Sequence, residues 1–185
     1  MKKLRKFAAL LLAGAMAMVM FTACSGSGGG SPASFEQQVE NAFFAAYSRE
    51  TGLTTNDPEV KALAETSFDC IKKEDGNFYF NLTGIPQNRW AVIDKENDLI
   101  TYALPIPDPD ADTNAQSHYK VLEVTPETLR TLNADALSNP FDPIQSGSNK
   151  DVKITAIGVA VKTINGKTYV SLGARVETDL SNSQS

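Results

Sequence analysis

The sequence predicts an α+β domain: an N-terminal helix pair packed on an antiparallel β-sheet that ends in a long C-terminal hairpin. Three observations predict it. Apolar residues recur at helical spacing between Phe35 and Lys72. From Asn77 onward the runs are short, rich in aromatic and β-branched residues, and separated by turn formers. Near the end, two long β-prone stretches flank Asn165-Gly166. Helices first and strands after them, without strict alternation, is the order of an α+β fold and not of a parallel βαβ fold.

The first helix is expected from Phe35 to Glu50. Ser34 with Gln37 three residues on forms a capping-box pattern, and Phe35, Val39, Ala42, Phe43, Ala46 and Tyr47 share one face. Gly52 is its natural stop. The second helix is expected from Pro58 to Lys72. Asp57 caps it, Pro58 takes the first helical position, and Lys72 and Lys73 suit the C-terminal dipole. Two such helices with a short connection either pair with each other or clasp a sheet. Strands are expected at Asn77–Leu82, at Arg89–Asp94 with Trp90 inside it, at Asp98–Leu104 and at Tyr119–Val124. Thr125-Pro126 opens a third helix to Leu137, and Asn139 to Lys150 is loop. Val152–Ile164 and Lys167–Thr178 form the closing hairpin, because Asn-Gly accepts positive φ at both turn positions. Gly158 and Gly173 inside these strands mark the close approach of a helix, or a bulge.

Residues 1–23 have the layout of a secretory signal. Lys2, Lys3, Arg5 and Lys6 make a positive start, Phe7 to Phe21 is an uncharged apolar stretch, and Thr22-Ala23 precedes Cys24. The apolar stretch rises roughly 22 Å as a helix, short of the ~30 Å hydrocarbon core of a membrane. Phe21-Thr22-Ala23-Cys24 resembles the lipobox of bacterial lipoproteins. The resemblance implies cleavage between Ala23 and Cys24 and a diacylglyceryl group on the Cys24 sulfur. Phe21 stands where the family prefers Leu. Two acyl chains hold a protein on a membrane firmly, where one alone binds marginally. Residues 24–34 are then a lipidated cysteine and a Gly/Ser linker with a reach of about 17 Å. A single extracytoplasmic domain follows at 35–178, and 179–185 is a disordered tail.

Removal of the first segment takes four basic residues and no acidic one, so the formal charge moves from −5 to −9. An acidic domain of this kind is a poor ligand for nucleic acid. With Cys24 lipidated, Cys70 is the one remaining thiol, which excludes an internal disulfide and the Cys₄ and Cys₂His₂ zinc sites. Cys70 is expected to be buried and inert.

Candidate chemistry is sparse. Asp108, Asp110, Asp112 and Asn114 alternate as oxygen ligands do in a Ca²⁺ loop. The pattern then departs from an EF-hand, with Thr113 in place of Gly and Tyr119 in place of Glu. A solvated acidic loop is the simpler account, and no other cofactor is implied. His118 is the only histidine and is expected at a surface or strand edge, and no G-x-S-x-G nucleophile elbow occurs. No pair among the dispersed carboxylates is singled out by spacing, so no catalytic residue is assigned. Ile157-Gly158-Val159-Ala160-Val161, followed by Asn165-Gly166-Lys167-Thr168-Tyr169-Val170, resembles the closing strands of the CAP superfamily of secreted α/β domains. That resemblance implies strands and no site, because the family's Gly-Glu-Asn and His-Arg motifs are missing and its two-histidine cavity needs a second histidine.

The expectation is a lipoprotein anchored on the extracytoplasmic face of a cell membrane, binding a protein, peptide or envelope component. The competing classes are a small envelope hydrolase using dispersed carboxylates or His118, and a calcium-dependent adhesion module.

Overall fold

Ser34 and Asp57 start the two helices as their side chains dictate. In the computed structural model, which describes residues 33–109, 118–131 and 153–177, the Ser34 hydroxyl accepts from the Gln37 N–H at 3.2 Å. Helix α1 then runs Phe35–Thr51 and stops at Gly52, whose φ of 73° no β-carbon opposes. An Asp57 carboxylate oxygen accepts from the Glu59 and Val60 N–H groups at 3.0 Å each, and α2 spans Pro58–Ser67.

α2 is shorter than its apolar spacing predicts. A 3₁₀ turn at Phe68–Cys70 follows it, and Ile71–Glu74 is strand β1. The cause is a tight hairpin. Asp75 and Gly76 take φ of 47° and 84°, and β1 pairs with β2, Asn77–Asn81, from Glu74↔Asn77 to Ile71↔Phe80. Lys72 and Lys73 therefore do not end a helix, and the Lys72 ammonium donates instead to the Thr83 carbonyl at 2.8 Å.

The strands form two antiparallel sheets where one is expected. The smaller has the order β1-β2-β5, with β5 at His118–Lys120. The larger has the order β3-β4-β7-β6, with β3 Ala91–Asp94, β4 Leu99–Pro105, β6 Lys153–Ile164 and β7 Lys167–Glu177. Asn165 and Gly166 turn the β6–β7 hairpin with φ of 52° and 78°. The chain passes between sheets after β4. Ile106 N–H donates to the Val170 carbonyl, and Asp108 N–H donates to the Lys120 carbonyl. Beyond β5, the Val124 N–H returns to the Thr168 carbonyl at 2.8 Å. The third helix, α3, runs Pro126–Thr131; its expected continuation to Leu137 lies outside the described residues.

Register sorts the larger sheet into two faces, both buried. Tyr102, Ile157, Val159, Val170, Leu172, Ala174 and Val176 share a core with Val39, Phe43 and Tyr47 of α1. Ala103, Ala160 and Tyr169 point the other way and pack with Leu63, Ala64 and Phe68 and with the inner residues Phe78, Phe80 and Tyr119 of the smaller sheet. The helices thus clasp the sheet from opposite sides. Trp90, expected within a strand, sits just before β3, half-buried and packed against both cores.

The Gly158–Gly173 pair explains how α2 docks. The two glycines face each other across β6 and β7. A β-carbon on Gly158 would lie 2.3 Å from the Lys61 nitrogen and 2.6 Å from the Val60 carbonyl carbon. These glycines mark the close approach of a helix. The β6 irregularity falls elsewhere, between Ile154 and Ala156.

Candidate functional site

The two outer edges of the larger sheet are treated differently. At β6 the connection from α1 to α2 crosses the edge, and Asn56 closes it. Its side-chain oxygen accepts from the Val159 N–H at 2.9 Å, and its side-chain nitrogen donates to the Val159 carbonyl at 3.3 Å and to Glu40 at 3.1 Å. The adjacent Asp57 N–H donates to the Ile157 carbonyl at 2.9 Å. A side-chain amide here stands in for the peptide of a further strand.

At β3, no strand pairs with the outer edge among the described residues. The Ala103 N–H donates to the Trp90 carbonyl at 2.8 Å, and Ala91 is opposite Tyr102. Antiparallel pairs alternate between hydrogen-bonded and non-bonded, so Val92 turns its peptide groups to β4 while Ala91 and Ile93 turn theirs outward. Among the described residues, Val92 and Ile93 are also the large apolar side chains left exposed, at 49% and 45%. The strand ends in an ordered turn. The Asp94 carboxylate accepts from Glu96 N–H, Asn97 N–H and the Asn97 side chain at 3.1, 3.2 and 2.7 Å. The hydrogen bond from the Asn97 side chain, more than those from the backbone, holds the Asp94 carboxyl below the usual carboxylate range.

His118 opens edge strand β5, as expected. Its Nε2 lies 3.0 Å from Glu74 Oε2, and the other Glu74 oxygen accepts from the Asn81 side chain at 3.1 Å. The Tyr79 ring lies parallel to the imidazole, with centroids 5.2 Å apart. Hydrogen bonding from His118, then from Asn81, depresses the Glu74 carboxyl. A histidine–carboxylate pair is half of a general-base arrangement. This one stands in solvent, with His118 and Glu74 side chains 44% and 38% exposed, so it has no dry cavity in which to act.

A cleft of about 110 Å³ lies where the two sheets meet. Its walls include two ion pairs, Lys120–Asp108 at 2.7 Å and Lys167–Glu123 at 2.6 Å. Asp108 thus engages an ammonium. Asp110, Asp112 and Asn114 lie outside the described residues. Among those described, no three His, Cys, Asp or Glu side chains are grouped to hold a metal. Cys70 is fully buried beside Phe68 and Phe80, and burial first, then Asp69, pushes its thiol up to about 11. A thiol so rarely ionised is a poor nucleophile.

The expected leader, Ala23, Cys24 and the expected linker as far as residue 32 lie outside the described residues, as does the expected tail. No described helix is long and apolar enough to cross a membrane. No family model, no curated protein and no solved structure matches the chain.

Proposed function

We propose that the chain is exported, cleaved before Cys24 and lipidated there. It then acts at the extracytoplasmic face of the membrane as a binding module, taking up an extended segment of another envelope protein along β3. The open β3 edge carries the reading. Peptide groups of Ala91 and Ile93 face outward beside two exposed apolar side chains, which is the requirement for strand addition. The guarded β6 edge supports it, because among the described residues the same sheet closes one edge and pairs no strand with the other. Each added main-chain hydrogen bond is worth about 1 kcal/mol. A four-residue edge therefore suits a transient partner. The tether supplies proximity.

Two results are expected. A fatty-acid analogue fed to producing cells should label the wild-type chain and not Cys24→Ser; label on the variant would remove the anchor. A photo-crosslinking residue at position 92 should capture a partner segment in intact cells. Ile93→Pro should abolish capture with little effect on melting, because proline is tolerated where an edge N–H faces away from its neighbour. Capture undiminished in a folded Ile93→Pro chain would refute strand addition.

A further inference from the structure

We infer that the segment taken up along β3 runs antiparallel to it and is basic at its N-terminal end. This rests on the strand-addition reading and adds direction and charge to it. Every paired strand in the sheet is antiparallel, and antiparallel pairing is the more stable kind per residue. An antiparallel newcomer sets its first residues beside the last residues of β3. There the chain reads Asp94-Lys95-Glu96-Asn97-Asp98, three carboxylates against one ammonium in a sharp turn. The hydrogen bonds from Asn97 and the turn amides hold the Asp94 carboxylate in place, and Glu96 is exposed. At the other end of β3, Arg89 is joined to Asp69 at 3.1 Å. The charge along the edge is therefore polarised, acidic where the newcomer begins. Apolar residues should follow the basic ones, to meet Val92 and Ile93 as cross-strand pairs.

A second copy of the chain fits the edge less well. A two-fold axis that extends the sheet must set one residue opposite itself, since cross-strand partners share a face. Centred on Val92, that register puts Arg89 opposite Lys95. Centred on Ile93, it puts Val92 opposite Asp94. The whole chain also carries a formal charge of −5, which opposes self-association.

The test uses the full chain in detergent micelles and three end-capped fluorescent peptides: Lys-Lys-Val-Thr-Val-Thr, its reverse, and the form with two glutamates in place of the lysines. Fluorescence polarisation should rank the first above the second by about fivefold, the return from two exposed ion pairs. The preference should fade as salt is raised and should be lost in the Glu96→Lys variant, in which the turn carries no net charge. Equal affinity for all three peptides would overturn the polarity and leave strand addition standing. Binding that survives Ile93→Pro, or no binding at all, would overturn both. Concentration-dependent dimers that Ile93→Pro dissolves, without peptide uptake, would assign the edge to a second copy.

Discussion

Gly158→Ala is expected to cost about 3 kcal/mol or more of folding stability, at the upper end of what overpacking does. The added methyl has nowhere to go. Its nearest neighbours are the Lys61 nitrogen at 2.3 Å, the Val60 carbonyl carbon at 2.6 Å and the Lys61 α-carbon at 2.9 Å, all main chain of α2. Backbone cannot rotate aside as a side chain does, so the helix must lift. With it go Leu63, Ala64 and Phe68, which seal the core on that face. Gly173→Ala makes the comparison. Its closest contact, at 2.7 Å, is a methyl of the buried Val60, and the Val60 carbonyl oxygen follows at 3.1 Å; a single side-chain atom rather than three main-chain atoms lies under 3.0 Å, so the loss should be smaller, about 1–2 kcal/mol. Urea titration of both variants reads the difference directly. A Gly158→Ala midpoint within experimental error of wild type would mean that α2 does not rest on this glycine pair.

That contact shows what a single sequence makes legible. Local grammar was sufficient for the caps at Ser34 and Asp57, for the stop at Gly52 and for the Asn165-Gly166 turn, because each signal and its consequence lie within a few residues. Gly158 and Gly173 announced a close approach of a helix or a bulge, and the sheet then chose the helix. Val60, Leu63, Ala64, Phe68 and Ile71 continue a helical stripe past Ser67, where α2 ends, because the Asp75-Gly76 turn needs β2 as a partner to draw Ile71–Glu74 into a strand. The second sheet was invisible for the same reason, since it depends on β5 reaching β2 across nearly forty residues. So was the candidate site. Arg89–Asp94 is recognisable as a strand, but its place at an edge follows only from pairing. His118 could be assigned to a strand edge, yet its bond to Glu74 spans forty-four positions.

Asn56→Ala should cost about 2 kcal/mol. One substitution removes the acceptor for the Val159 N–H and the donor to the Val159 carbonyl and Glu40, and a partly buried peptide group left unpaired costs about 1–3 kcal/mol. The Lys61–Glu40 ion pair at 2.7 Å still ties α2 to α1 over the edge, so the fold should survive the loss. Stability is only the first readout. An uncovered β6 edge offers N–H and C=O groups to any other strand, so light scattering of Asn56→Ala should show association that rises with concentration. A variant as stable and as monodisperse as wild type would mean that Asn56 guards nothing. The two edges give opposite expectations, which makes them separable. Asn56→Ala should lose stability and keep crosslinking at position 92, whereas Ile93→Pro should keep stability and lose crosslinking. If one edge is closed by a side chain so that the other alone takes a partner, a chain carrying both substitutions should associate through β6 and still fail to capture anything at β3.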